Sequence, residues 1–392
     1  MKTQLTLVSI LVGSLLCSSA VMAQKVNISP RVASQVVMTK HNQCQWPMWQ
    51  SFKQNYIKNG RVIDNSDPRS ITTSEGQSYG LFFALIANDE PTFNALLHWT
   101  EKNLADGDLT GQLPAWLWGT LPNGNQGILD SNSASDSDLW IAYSLMEAGR
   151  LWDNFYYQSL GHLLASRILR EETITVSGLG TVLLPGKQGF VLGDNHVRLN
   201  PSYVPLQLLT RMDTLFPEYQ WEALYQSSAR VIKDTMPKGS SPDWVEWNKT
   251  TFQNDKQTKA IGSYNAIRTY LWAGMLPNSD ANKATILNKM QPVVLELEKG
   301  KGMPEMINTR TGRAKNRGGI GINAAILPLL SAVDSIKTAD EYAEDIEASL
   351  PSIESDSYYN SVLTLFGLGW YEGLYQFDTD GSVTPSWTHV CQ

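Results

Sequence analysis

The sequence has little charge and few cysteines. Only 18% of its 392 residues are Asp, Glu, Lys or Arg, below the roughly 25% that is usual for soluble proteins. The net charge of −7 argues against a nucleic-acid-binding protein, which needs a basic surface. The cysteines and the scattered histidines lack the spacing of a zinc site, and no phosphate-binding loop is present. We therefore expect no metal and no cofactor.

Aromatic residues are plentiful by contrast, with 13 Trp, 15 Tyr and 10 Phe. A hydrophobic content of 42% excludes wholesale disorder. Most of these rings must lie in a core, but Trp and Tyr also suit a groove for a neutral ligand with flat faces.

Long hydrophobic runs are lacking after the first residues. Lys2, the apolar stretch 5–16 and Val21-Met22-Ala23 are typical of a signal peptide over residues 1–23, cleaved after Ala23. The run of about a dozen residues is too short for a transmembrane helix, which needs about 20. We expect a protein without a membrane span that is periplasmic or secreted, with a flexible leader at 24–43 and one domain at 44–392.

Removal of the signal peptide leaves Cys44 and Cys391. In an exported chain two such residues are expected either to form a disulfide or to remain separate buried thiols. A disulfide that closes so long a loop would contribute on the order of 4–5 kcal/mol in the chain-entropy model.

Apolar residues recur at spacings of three and four along the rest of the chain, which predicts about twelve helices. They lie near 45–57, 75–88, 91–104, 136–149, 155–172, 202–213, 218–236, 261–275, 281–299, 320–331, 339–349 and 358–373. Strand signals are scarce, and the best predicts a small β-hairpin from Thr173 to Leu184. Because no linker divides the helices, we expect a single all-α domain with paired helices around a common axis.

Glu75 follows the N-cap candidates Thr72-Thr73-Ser74, so it falls in the first turn of an apolar helix. It either complements the helix dipole or has a raised pKa and serves as a general acid. The run from Gly76 to Gly80 matches the nucleophile elbow of serine hydrolases, with Ser78 as the nucleophile. That elbow follows a buried strand, whereas a polar turn precedes Ser78, so a serine esterase is the weaker hypothesis.

Asp136 and Asp138 precede a second apolar helix. They are either ordinary residues of an exposed helix cap or part of a site. Their neighbours are small and uncharged, with no Lys or Arg before Arg150. This setting leaves room for a substrate and predicts that both carboxylates are without ion partners.

Tyr264, Asn265 and Arg268 lie within the predicted helix 261–275 and would share one polar face at about 100° per residue. An arginine on such an apolar helix needs a partner, which we expect to be a carboxylate from another segment. Trp116 and Trp118 lie on a predicted loop over 113–119, where their rings suit the apolar faces of sugars.

Taken together, these segments resemble glycoside hydrolase family 8. The resembling segments are Thr72 to Gly80, Leu113 to Gly119, Asp130 to Trp152, Leu184 to Lys187, Asn200 to Tyr203, Ser241 to Trp244, Ser263 to Arg268 and Tyr358 to Trp370. They follow the family's order over nearly the whole chain. The run Ala134-Ser135-Asp136-Ser137-Asp138 is close to a family signature, although Ser137 stands where Ala or Gly is usual.

The resemblance implies an (α/α)6 barrel and inverting hydrolysis of β-1,4-glucan. It implies that Glu75 is the general acid and that Asp136 is the central carboxylate that contacts the sugar. It also implies a sugar groove lined by Trp116, Trp118, Tyr203, Tyr264, Asn265, Arg268, Tyr358 and Tyr359. Within the family, the sequence is most similar to the branch that accompanies bacterial cellulose synthase, whose complex is thereby an expected partner.

One residue departs from this pattern, because Asn265 stands where related cellulases carry an aspartate that is commonly the base. An amide can orient a water but cannot take up its proton. Either Asp136, Asp243, Glu246 or Asp255 supplies the base, or hydrolysis is weak, or the protein is a non-catalytic glucan-binding factor in cellulose assembly. Chitosan, xylan and mixed-linkage glucans remain alternative substrates.

Overall fold

The computed structural model describes residues 45–350 and 358–389. The predicted signal peptide (1–23), the predicted leader (24–43) and both Cys44 and Cys391 lie outside these residues. The proposed disulfide therefore stays a prediction. No helix in the described part of the chain is long and apolar enough to cross a membrane.

The helices match the twelve predicted segments, although one segment is divided in two. They are α1 Pro47–Tyr56, α2 Ser74–Ile86, α3 Glu90–Leu104, α4 Ser135–Leu151, α5 Phe155–Glu171, α6 Leu206–Leu215, α7 Trp221–Asp234, α8 Ile267–Met275, α9 Lys283–Leu297, α10 Ile320–Ala325, α11 Leu327–Ala332, α12 Ile336–Ser349 and α13 Tyr358–Tyr371. The divided segment, 320–331, is interrupted before Pro328. A proline ring clashes with the carbonyl four residues earlier, which breaks a continuous helix there.

The helices pack as neighbouring pairs: α2 with α3, α4 with α5, α6 with α7, α8 with α9, and α10–α11 with α12. The sixth pair joins the two ends of the described chain, since α13 packs on α1. The first members of the pairs contact one another in order, from α2 through α4, α6, α8 and α10–α11 to α13. This arrangement is the (α/α)6 barrel that the resemblance implied.

Burial separates the inner helices from the outer ones. In α2 and α4 nearly every residue is buried, whereas α3 and α5 bury only one face. A helix that is apolar all round must be enclosed by protein, and a one-sided helix must face solvent. Aromatic side chains fill the axis of the barrel. They also close the circle of inner helices, because the ring centroid of Phe366 in α13 lies 4.6 Å from that of Phe83 in α2 and 5.0 Å from that of Trp272 in α8.

Glycine allows the closest approach between two inner helices. A β-carbon at Gly367 of α13 would lie 1.9 Å from the carbonyl oxygen of Ala324 in α10. This distance is far below van der Waals contact, so no residue with a side chain fits there. The packing of α10 on α13 therefore requires glycine at this position.

Sixteen short strands lie in the loops that connect the helices. They are β1 Ile57–Lys58, β2 Arg61–Val62, β3 Thr72–Thr73, β4 Leu117–Thr120, β5 Gln126–Asp130, β6 Thr173–Val176, β7 Gly180–Leu183, β8 Val191–Gly193, β9 His196–Leu199, β10 Val245–Asn248, β11 Thr251–Asn254, β12 Ile261–Gly262, β13 Pro304–Asn308, β14 Ala314–Arg317, β15 Tyr375–Phe377 and β16 Val383–Pro385. All pair antiparallel, in the orders β1-β2, β3-β4-β5, β6-β7, β11-β10-β9-β8, β12-β13-β14 and β15-β16.

The strands confirm one prediction and correct two others. The hairpin β6–β7 occupies the predicted segment 173–184. The predicted loop 113–119 is partly wrong, since it enters strand β4 at Leu117. The predicted helix 261–275 is also partly wrong, since residues 261–262 form β12 and α8 begins only at Ile267. Strands of two to five residues are too short to show the alternation that reveals a strand in sequence.

Candidate active site

Glu75 lies in the first turn of α2, as predicted. Thr73 is the N-cap, and its hydroxyl accepts a hydrogen bond from the backbone N–H of Gly76 at 3.0 Å. Strand β3 leads directly into the helix and pairs with β4, with Thr72 opposite Trp118. This pairing anchors the start of α2 beside the tryptophan-containing segment.

Asp136 lies in the first turn of α4, and Trp116 connects it to Glu75. The backbone carbonyl of Trp116 accepts a hydrogen bond from the N–H of Ser74 at 3.0 Å, and its N–H donates to the carbonyl of Asn132 at 2.8 Å. The main chain at one tryptophan thus joins the segments that begin α2 and α4. Two distant acidic residues are thereby brought to one end of the barrel.

Arg268, near the start of α8, joins the two carboxylates. Its Nη1 donates to Glu75, to the Tyr79 hydroxyl at 2.8 Å and to Asp136 Oδ2 at 3.1 Å. Its Nη2 donates to Asn265 Oδ1 at 3.0 Å. The expectation that this arginine pairs with a carboxylate from another segment is confirmed, with two such partners instead of one.

The surroundings raise the pKa of both carboxyl groups. Burial raises the pKa of Glu75 and the negative charge of Asp136 raises it further, while the nearby Arg268 opposes the shift. Burial also raises the pKa of Asp136, against the influence of Arg268 and of hydrogen bonds from Ser137. The Glu75 side chain retains 24% of its surface exposed, so a proton held there can reach a bound ligand.

Two expectations about this site were wrong. The cap that carries Asp136 and Asp138 is not exposed, because the two residues are only 2% and 0% exposed. Asp136 has an ion partner, Arg268, from a distant segment. Tyr264 and Asn265 do not share a helical face with Arg268, since they lie in the turn between β12 and α8.

The remaining candidate bases make local structural contacts. Asp243 accepts hydrogen bonds from the backbone N–H groups of Ser263, Asn265 and Ala266, which shapes the turn before α8.

Glu246 accepts from the Lys256 N–H and contacts the His196 ring, and Asp255 forms an ion pair with Arg198. These carboxylates hold β9, β10 and the following loop together, so their positions are explained without a catalytic role.

Asn265 is a hydrogen-bond acceptor in this site. Its Oδ1 accepts hydrogen bonds from Arg268 and, at 3.3 Å, from Asn200 Nδ2. An amide oxygen satisfies both donors, so these hydrogen bonds need no carboxylate at position 265. The amide brings no negative charge to the site.

Several of the residues predicted to line the sugar groove lie around Glu75, Asp136 and Arg268. The ring of Tyr203 lies 5.5 Å from the Arg268 guanidinium, and Tyr359 donates to the backbone carbonyl of Tyr264 at 2.8 Å. Trp118 is covered on one side by Arg61, 4.1 Å from its ring centroid.

Tyr358 differs from the other residues predicted to line the sugar groove. It is only 6% exposed, and its ring packs in the core 5.7 Å from that of Tyr56. Its place in a sugar groove stays a prediction.

Sequence reasoning missed four residues of the site. Tyr79 and Ser202 both bond to Arg268, Asn200 bonds to Asn265, and Trp244 packs 5.8 Å from Tyr203. A signal existed for Tyr79, which follows Glu75 by four residues and so shares its helical face. The other three lie in segments that resembled the family but carry no charge to single them out.

The serine hypothesis finds no support in the geometry. Ser78 is buried inside α2, and its hydroxyl donates to the backbone carbonyl of Glu75 at 2.8 Å. This is the ordinary bond of a helical serine to the preceding turn. Within residues 45–350 and 358–389, no group of three or more His, Cys, Asp or Glu side chains is arranged to hold a metal.

Comparison with known proteins identifies relatives over most of the chain. The family model for glycosyl hydrolases family 8 matches residues 25–373. An endoglucanase of Escherichia coli O157:H7 is 48% identical over 353 residues, which cover 89% of this chain and 93% of that protein.

Solved structures give the same result. The endo-1,4-D-glucanase of Vibrio fischeri ES114 is 73% identical, with a TM-score of 0.87 over 88% of this chain and 100% of that one. The family 8 endoglucanase Cel10 of Klebsiella pneumoniae is 25% identical, with a TM-score of 0.69 over 84% and 100% of the two chains.

Replacing Arg268 should expose its electrostatic role. In Arg268→Met the two buried carboxyl groups lose their cation, and breaking a buried ion pair costs roughly 3–5 kcal/mol. The cost should be smaller at pH 5 than at pH 8, because protonation then relieves the unpaired charge. Urea unfolding at both pH values measures this, with the exposed ion-pair variant Lys337→Met as the control. An equal loss at both pH values would show that the guanidinium acts through packing.

Proposed function

Because the chain belongs to glycosyl hydrolases family 8, we propose that it is an endo-β-1,4-glucanase that cleaves cellulose with inversion at the anomeric carbon. The observation that carries this proposal is the contact of Glu75 and Asp136 with one nitrogen of Arg268, beside half-buried aromatic rings. A polymer that lies along these rings would place a glycosidic bond at the carboxyl groups.

Glu75 acts as the general acid in this proposal. Its raised pKa favours the protonated form that a general acid needs, and its partly exposed side chain can deliver that proton to the leaving oxygen. Asp136, which is almost fully buried, contacts the sugar at the cleavage point and remains paired with Arg268.

The spacing of the two carboxylates argues against Asp136 as the base. An inverting acid and base are about 6.5–9.5 Å apart, which leaves room for the attacking water. Glu75 and Asp136 both contact Nη1 of Arg268, so their contacting oxygens lie closer together than this.

Asn265 is bonded to the other nitrogen, Nη2, and occupies the position of the expected base. We infer that its amide orients the water but leaves the proton without an acceptor. Loss of a general base costs about 10²–10⁴-fold in rate, so hydrolysis is slow.

A second function is favoured by the same residue. The Asp243, Glu246 and Asp255 carboxylates are engaged in local structure, and no charge is present at Asn265. A glucan-binding factor in cellulose assembly would keep the groove and need no base. A 1,4-linked glucan is the substrate class that the relatives' names favour, since one of them is an endo-1,4-D-glucanase.

Glu75→Gln should abolish the release of reducing ends from carboxymethyl-cellulose, because an amide cannot donate the required proton. In the wild type the rate should fall as pH rises through the pKa of Glu75, where the acid form is lost. Ser78→Ala, three residues along the same helix, is the control and should retain the wild-type rate. Activity that survives in Glu75→Gln would remove this residue from the mechanism.

Asn265→Asp should raise the rate by about 10²–10⁴-fold, since it restores a proton acceptor while keeping both hydrogen bonds. Asn248→Asp on strand β10 adds the same charge away from the site and should change nothing. If wild type and Asn265→Asp have equal, measurable rates, the base lies elsewhere. If neither turns over but both bind cello-oligosaccharides, the glucan-binding function is the correct one.

We also propose that the protein is exported to the periplasm and acts alongside the cellulose synthase complex. The amino-terminal sequence supports export, and the similarity to the cellulose-synthase-associated branch supports the partner. The exported form would carry the Cys44–Cys391 disulfide.

Intact mass of the protein from a periplasmic fraction tests this. We expect a chain that begins at Gln24 and gains the mass of two hydrogen atoms on reduction. A full-length chain confined to the cytoplasm would contradict export. A cleaved chain whose mass does not change on reduction would contradict the disulfide alone.

A further inference from the structure

A second acidic pair lies behind Asp136. Asp138 and Glu172 are both 0% exposed, and their side chains lie within hydrogen-bonding distance of each other. Asp138 is one helical turn into α4, and Glu172 caps the end of α5. The roles given above to Glu75, Asp136 and Arg268 do not use these two residues.

The contacts of this pair leave three carboxyl oxygens without a donor. Among the described residues, no group donates to either oxygen of Asp138 or to Oε2 of Glu172. Oε1 of Glu172 accepts a hydrogen bond from the Ser133 hydroxyl at 2.5 Å. Two buried carboxylates that face each other without donors repel strongly, whereas a proton between them supplies a hydrogen bond.

The surrounding charges favour that proton. Burial is the main cause that raises the pKa of Asp138 well above its ordinary value. The negative charge of Glu172, the hydrogen bond with Glu172 and the charge of Asp136 raise this pKa further. Burial raises the pKa of Glu172 to about 8, hydrogen bonds with Ser133 and Asp138 oppose this shift, and the charges of Asp136 and Glu171 add to it. The positive charge of Lys187 lowers the pKa of Asp138, but its effect is smaller than those of burial and of Glu172.

The pair also holds the segment that carries Asp136. The Ser133 hydroxyl that donates to Glu172 accepts the backbone N–H of Lys187 at 3.0 Å, and the N–H of Ser135 donates to the carbonyl of Pro185 at 3.1 Å. Hydrogen bonds therefore hold the chain just before Asp136 between Glu172 and the loop 185–188, and we call this arrangement the clamp.

We propose that Asp138 and Glu172 share a proton and act as positioning residues that hold Asp136 in place for the sugar. The proton removes a negative charge that would repel Asp136, so the pairing of Asp136 with Arg268 is not weakened by a second anion nearby. Loss of the proton at alkaline pH would add that charge and loosen the clamp. The consequence for sugar binding rests on the proposed function, while the shared proton does not.

The shared proton can be tested without activity. The folded pair keeps a proton that the unfolded chain releases above about pH 5, so rising pH favours unfolding up to the pKa of Glu172, which burial raises to about 8. Relative to Asp138→Asn/Glu172→Gln, the unfolding constant of the wild type should rise about tenfold per pH unit in this window. Glu341→Gln, which removes an exposed acid of α12 paired with Lys337, is the control and should follow the wild type.

Infrared absorption provides a second measurement. The wild type should show the carbonyl band of a protonated, buried carboxylic acid at pH 6, and the difference spectrum against Glu172→Gln should contain it. Equal spectra, or equal pH dependence of unfolding in wild type and double variant, would overturn the shared proton.

Binding of cello-oligosaccharides, followed by tryptophan fluorescence, tests the positioning role. Wild-type affinity should fall above pH 8, whereas Glu172→Gln, whose amide supplies a permanent donor to Asp138 and still accepts from Ser133, should keep it. Glu172→Ala should bind roughly tenfold more weakly at every pH. If the affinity of Glu172→Gln falls with pH as in the wild type, the pair does not position Asp136. Absence of binding in every protein, with the infrared band present, would refute the glucan function and leave the shared proton standing.

Discussion

The contact of a single guanidinium with two carboxyl groups organises this end of the barrel. Arg268 is 2% exposed, and a buried cation without partners would be prohibitively costly. Glu75 from α2 and Asp136 from α4 supply those partners, so three inner helices converge at one point. The same pairing offsets the burial of both acids, which leaves each pKa raised only in part.

The barrel makes this convergence possible. Short strands precede the three helices that carry the site, with β3 before α2, β5 before α4 and β12 before α8. The backbone of Trp116, just before β4, links the start of α2 to the segment that leads into α4. First-turn residues of different helices are therefore neighbours although 61 positions separate them in sequence. Acidic residues are common in the first turn of a helix because they interact favourably with the helix dipole. Here the surrounding loops bring two such residues together, which creates a site.

The fold was largely predictable from the sequence, and the site only in part. Helical periodicity located every pair of the barrel, because inner and outer helices both bury apolar residues at regular spacings. The short strands carry no such signal, so helical periodicity extends across Ile261–Gly262, which is a strand, and it predicts a helix at Asn265, which lies in a turn. The partners of Asp136 could not be predicted, since Arg268 reaches it across 132 positions.

Position 265 shows how the fold and the reaction are separable. Asn265 accepts hydrogen bonds from Arg268 and Asn200, so neither the turn before α8 nor the arginine requires a carboxylate there. The guanidinium contacts two acids, Glu75 and Asp136, and one amide. An amide meets the structural requirement at this position, although it cannot take up a proton as a base would. Under the proposed mechanism, the geometry of the groove therefore does not depend on the presence of a base at position 265.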